Sequence, residues 1–110
     1  MKNIRTLAFL AVLAVSFDTV SVADLYKGLS AYVAGDYVTA FKEIKAPAER
    51  GIATAQNLLG NLYYSGDGVS QNYVEAAKWF GLAAKQDDAL AQSSLGDLYQ
   101  SGLGVSQDYA

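Results

Sequence analysis

Ala55-Gln56-Asn57-Leu58-Leu59-Gly60-Asn61-Leu62-Tyr63-Tyr64-Ser65-Gly66-Asp67-Gly68-Val69-Ser70-Gln71-Asn72-Tyr73 returns without a gap as Ala91-Gln92-Ser93-Ser94-Leu95-Gly96-Asp97-Leu98-Tyr99-Gln100-Ser101-Gly102-Leu103-Gly104-Val105-Ser106-Gln107-Asp108-Tyr109. The offset is 36 residues (91 minus 55). A fixed period of this size marks a repeat array, whose units bury their apolar faces only against their neighbours. Such an architecture points to a binding scaffold ahead of a catalytic site.

Within the repeat, apolar residues at 55, 58, 59, 62 and 63 form one face of a helix. Gly66 and Gly68 then stop it, because two glycines in three residues favour a turn over a helix. Tyr73, Ala76, Ala77, Phe80 and Ala84 form a second helical stripe. Neither segment alternates, so each unit reads as helix, Gly-x-Gly turn, helix.

A worn copy precedes these. Shifting back by 36 places Tyr37 on Tyr73, Ala40 on Ala76, Ile44 on Phe80, Ala48 on Ala84 and Ala55 on Ala91. Its first helix, about Asp24 to Ala34, carries Leu25, Leu29 and Tyr32 on one side, and a single Gly35 replaces the Gly-x-Gly loop. Pro47 falls inside the following helix, where it removes one backbone hydrogen bond and is expected to bend or break it. Gly51 suits the position just past that helix's end. At the other end, the second helix of a third unit is expected to begin near Tyr109. The sequence thus reads as a degenerate unit about 24–51, a full unit about 52–87 and a truncated unit about 88–110, with a piece of a longer array as one expectation.

The first residues read as a secretory signal peptide over residues 1–23. Lys2 and Arg5 give a positive start, Leu7 to Val15 form an apolar run of nine, and Ser21-Val22-Ala23 offers small residues for cleavage after Ala23. That run is short of the ~20 apolar residues that span a bilayer, so no stable membrane insertion is expected after cleavage. The expected location is therefore exported, periplasmic or secreted. Residues 24–110 hold ten acidic and six basic side chains, a net charge of −4 with neither sign clustered. Nucleic acid is a poor partner for such a surface, since its binding needs grouped Lys and Arg. The chain has no cysteine, so stability rests on packing without disulfides.

Written out, the repeat is Ala-x-Ala-Gln-x-x-Leu-Gly-x-Leu-Tyr-x-x-Gly-x-Gly-Val, then Asn/Asp-Tyr-x-x-Ala-x-x-Trp-Phe-x-x-Ala-Ala. It resembles the Sel-one-like repeat (SLR), a relative of the tetratricopeptide repeat, over about residues 25 to 110. Tetratricopeptide units have a period of about 34 and lack the Gly-x-Gly loop. The resemblance implies an all-α fold, an α/α superhelix (solenoid) of helix–turn–helix repeats that acts as an adaptor for protein complexes. Two positions depart from the family pattern: Asp87 stands where a helix-ending glycine is usual, and Gly81 follows Trp79-Phe80 in place of a larger residue.

Gly60 and Gly96 sit in mid-helix at a cost of about 1 kcal/mol each relative to alanine. Close approach of the paired helix is the structural reason to tolerate them; a ligand role is the alternative. Trp79 lies off its helix's apolar stripe and suits packing between units or a binding patch. The polar positions of the first helices, which the resemblance implies can line the concave side, are the candidate partner-binding residues: Gln56, Asn57, Asn61 and Tyr64, matched by Gln92, Ser93, Asp97 and Gln100. The competing reading is a solvated face.

Enzyme readings find little support. The chain has no His and no Cys, which removes the usual general base, most zinc sites and thiol nucleophiles. Asp67-Gly68 lacks the spaced acids of a calcium loop, and the adjacent pair Asp87-Asp88 suits a helix cap. Some cysteine-rich secreted SLR proteins are linked to β-lactam chemistry, but the matching cysteines are missing. The reading is a non-enzymatic interaction scaffold that binds a protein or peptide, with no cofactor and with self-association through an open C-terminal edge as a further expectation. A cell-wall or β-lactam-related enzyme is the alternative.

Overall fold

A computed structural model describes residues 22–106. Most of the expected leader therefore lies outside it, as do residues 107–110. Five helices follow one another among the described residues: α1 over residues 22–33, α2 Tyr37–Glu49, α3 Ala53–Ser65, α4 Tyr73–Ala84 and α5 Ala89–Ser101. Each of the last four packs on its neighbour in sequence, α2 on α3, α3 on α4 and α4 on α5. The chain is an all-α solenoid, as the repeat requires.

The stripes bury as their periodicity predicts. Ala55, Leu58, Leu59 and Leu62 of α3 and Ala76, Ala77 and Phe80 of α4 are buried. Tyr63, Tyr73 and Ala84 of the expected stripes are half-buried, and Ala83, off the expected stripe, is fully buried. Leu25, Leu29 and Tyr32 of α1 pack half-buried on the same core as α2 and α3. Trp79 and Phe80 divide the work of α4. Trp79 completes the cluster of Ala40, Ile44, Ala48, Leu58 and Leu59 from the preceding helices, whereas Phe80 joins Ala83, Ala91 and Leu98 on the following side. Two adjacent aromatics thus bind two successive cores to one helix, each contributing roughly 1.5–3 kcal/mol when fully buried. For Trp79, packing between units is the outcome. Its indole Nε1 is buried without a hydrogen-bond partner, and the Lys78 ammonium lies 5.3 Å from the ring centroid.

Helix ends follow local chemistry. Asp36, Asn72 and Asp88 cap α2, α4 and α5, accepting from the backbone N–H of Thr39 at 3.2 Å, Glu75 at 3.1 Å and Ala91 at 2.9 Å. Gly66 ends α3 at φ 72° and Gly102 ends α5 at φ 69°, in the left-handed region where glycine carries no Cβ penalty. Asp87 adopts φ 64°, in the place where the 36-residue shift puts Gly51, at φ 95°. Its N–H donates to the Ala84 carbonyl at 3.0 Å, just as Gly51 N–H donates to Ala48 at 3.1 Å. Aspartate has taken over a glycine's backbone conformation.

The expected break at Pro47 is corrected. Pro47 neither ends nor interrupts α2, which continues to Glu49. The proline stands two residues from the helix end, so the bond it forfeits is among the last, and Arg50 N–H still reaches the Ala46 carbonyl at 3.0 Å. Its ring is fully buried and serves the core.

The loops join one unit to the previous one. A Cβ on Gly68 would overlap the Tyr37 carbonyl at the start of α2, and a Cβ on Gly104 would overlap the Tyr73 carbonyl at the start of α4. The second glycine of each Gly-x-Gly loop therefore allows backbone-to-backbone contact between successive units.

Candidate functional site

The eight polar positions of the first helices divide into two groups. Gln56 is buried, at 4% exposure. Its side-chain amide donates to the Ala48 carbonyl at 3.1 Å, while its oxygen accepts from Gln86 Nε2 at 2.9 Å. Gln86 also donates to the Gly51 carbonyl at 2.8 Å. Gln92, exposed, repeats the first of these bonds one unit later by donating to Ala84 at 3.2 Å. These glutamines hold the start of one helix to the end of the helix before it, a task distinct from contacting a partner. Asn57 is half-buried with its Oδ1 enclosed and without a hydrogen-bond partner. Ser93 and Gln100 are exposed on α5.

The remaining three come together. Asn61 and Tyr64 of α3 face Asp97 of α5 across a cleft of about 170 Å³, which Ser94, Leu98 and Ser101 of α5, Phe80 of α4 and the loop residue Leu103 complete. Pockets for drug-sized ligands run to roughly 300–1,000 Å³, so this one is sized for a single side chain. Sequence reasoning missed Ser94, Ser101 and Leu103. Ser94 had a signal: the 36-residue shift places it on Leu58, which is buried in the preceding unit. A serine where the repeat supplies a leucine opens the cleft.

The walls are braced. Tyr64 meets Tyr73 edge-to-face, with centroids 5.4 Å apart. Gln71 Nε2 donates to the Tyr64 carbonyl at 2.8 Å and to the Tyr73 hydroxyl at 3.1 Å. Leu103 N–H donates to the Leu98 carbonyl at 3.1 Å. Nearby, burial raises the Tyr63 phenol pKa above its ordinary 10.0, with the Glu75 charge adding to the effect.

A larger and more open groove of about 710 Å³ runs along α4 and α5, past Ala84, Leu95, Tyr99 and Val105. The repeat shift places these on Ala48, Leu59, Tyr63 and Val69, all part of or packed against the core that Trp79 completes. This groove is the counterpart of a stacking face and owes its apolar lining to the repeat. Among the described residues no group of three or more His, Cys, Asp or Glu is placed to hold a metal ion, and no helix is long and apolar enough to cross a membrane.

Comparison with known proteins agrees with this architecture. A family model described as the Sel1 repeat matches residues 53–88 and 89–110. No curated protein sequence matches the chain. Among solved structures, a protective antigen present in uropathogenic Escherichia coli strains and displaying an SLR fold is 38% identical, with a TM-score of 0.76 over 81% of this chain and 20% of that one. A Sel1 repeat protein from Oxalobacter formigenes is 36% identical, with a TM-score of 0.73 over 77% of this chain and 34% of that one. The chain thus spans about one fifth and one third of these two proteins.

Proposed function

Because the chain belongs to the Sel1 repeat family, whose repeats generally serve as protein-interaction scaffolds, we propose that it is an exported, non-enzymatic scaffold that binds a peptide segment of a partner protein in the cleft between α3 and α5. The observation that carries this reading is the convergence of Asn61, Tyr64 and Asp97 with Ser94 on one preformed cleft. Few preorganised polar groups over an apolar floor are the usual recipe for recognition. Export is supported by the charged start, the apolar run Leu7 to Val15 and the small residues ending at Ala23. The absence of His and Cys from the sequence leaves general-base and thiol chemistry without their usual agents.

Selection of random displayed peptides against the purified chain tests the binding reading. Binders are expected to compete with one another and to lose affinity for the cleft-blocking variant Ser94→Trp. Binders indifferent to that substitution would overturn the assignment to this cleft. Mass determination of the protein recovered from the medium or periplasm tests export, with a mature amino terminus at Asp24 as the expected result.

A further inference from the structure

We propose that the cleft between α3 and α5 is a receptor for one long cationic side chain, lysine or arginine, carried by the partner's peptide; this inference rests on the reading of that cleft as the binding surface. Its chemistry is asymmetric. Among the described residues that line it, Asp97 is the one charged residue and none is lysine or arginine. Asn61, Ser94 and Ser101 add neutral acceptors to the same lining. Phe80, Leu98 and Leu103 offer apolar surface for the methylene stem of a long side chain. Tyr64, 43% exposed, adds an aromatic ring to the same lining, a favourable neighbour for a cation.

Other ligand classes fit worse. An anionic group would meet Asp97 with no cation among the described lining residues to offset it. A purely apolar side chain would cover Asn61, Ser94 and Ser101 without supplying hydrogen bonds, which is costly for buried polar groups. The volume of about 170 Å³ admits one long side chain and little more. The walls are already in place before binding. Tyr64 is held by Tyr73 and Gln71, and Leu103 is followed by Gly104, whose backbone lies against that of Tyr73. Little ordering is therefore needed on association. The net charge of −4 on residues 24–110 favours approach of a basic segment.

The test is a titration of the isotope-labelled full chain, followed by amide NMR, with four short synthetic peptides that differ only at one central residue: lysine, arginine, norleucine or glutamate. Lysine and arginine peptides are expected to shift the amide signals of Asn61, Ser94, Asp97 and Ser101. Affinity is expected to fall about tenfold in Asp97→Asn, the loss typical of a hydrogen bond to a charged group, and to vanish in Ser94→Leu, with helical content checked by circular dichroism. Norleucine or glutamate binding equally well at the same residues would overturn the cationic assignment while leaving the cleft as the binding surface. Shifts confined to another face would overturn both. No shift with any peptide would overturn the cationic receptor alone, since the displayed-peptide selection judges the cleft independently.

Discussion

The ring of Phe80 fills the space above Gly60, where a Cβ would come within 2.6 Å of two ring carbons. The same relationship holds one unit earlier, where Ile44, the residue the repeat shift places on Phe80, lies 3.1 Å from the position of a Cβ on Gly28. Gly96, the repeat counterpart of Gly60, has nothing within 4 Å of a Cβ position. Close helix approach thus explains one of the two mid-helix glycines and leaves the other without a packing reason among the described residues. Gly60→Ala is expected to destabilise the chain by about 1–2 kcal/mol, because overpacking of roughly 1–3 kcal/mol outweighs the gain in helix propensity. Gly96→Ala is expected to stabilise it by up to about 1 kcal/mol. Thermal unfolding of the two variants checks the opposite signs.

Asp87 holds a left-handed backbone conformation that costs an L-residue more than glycine. Asp87→Gly is expected to raise stability by about 0.5–1 kcal/mol, and Gly51→Ala, at the equivalent position, to lower it by about 1 kcal/mol. Urea unfolding checks both, with midpoints shifting in opposite directions at an unchanged slope.

Gln56 and Gln92 make the same bond in different surroundings. Gln56→Leu removes a buried bond, although the Ala48 carbonyl keeps the Gly51 N–H and Gln86 keeps the Gly51 carbonyl. It is expected to cost about 0.5–1.5 kcal/mol, the net contribution of a hydrogen bond. Gln92→Leu removes an exposed bond, and its effect is expected to stay within about 0.5 kcal/mol. Equal losses in chemical denaturation would contradict the burial argument.

The Asp36 carboxylate is held below its ordinary 3.8 by the hydrogen bonds of Thr39, side chain first and then backbone. A carboxyl with a lowered folded pKa stabilises the fold above its unfolded value, and that contribution disappears as pH falls through the folded value. The difference in melting temperature between the wild type and Asp36→Ala is therefore expected to be full at neutral pH and to shrink below pH 3.8. Asp36→Asn, which also caps, is expected to show no comparable dependence.

Ser94→Leu restores the leucine that the preceding unit carries as Leu58. Filling the cleft is expected to raise stability by about 1 kcal/mol, the gain from burying one or two methylenes, while removing peptide binding. Gain of stability with loss of binding in a single variant would mark the site as maintained against the packing preference of the repeat. Retained binding would place the ligand elsewhere.

Helices and their faces were legible because burial on a helix recurs at the helical period, which Leu58, Leu59 and Leu62 display. Caps such as Asp88 were legible because they are local. Gln56 was not, since its burial depends on Gln86, thirty positions away, supplying a matching donor. Pro47 misled because a proline's effect depends on how many helical bonds remain after it, and α2 ends two residues later. In the site, Asn61, Tyr64 and Asp97 were readable as polar residues on first helices. The cleft itself depended on the size of Ser94 relative to Leu58, a comparison between copies rather than within one.

The meeting of Gly68 with Tyr37 and of Gly104 with Tyr73 involves main-chain atoms on the preceding unit. Curvature between units is consequently written in the backbone and insulated from most side-chain change. Residues such as Ser94 and Asp97 are then free to drift toward new ligands while the frame that presents them keeps its pitch, so recognition and architecture can evolve on separate accounts.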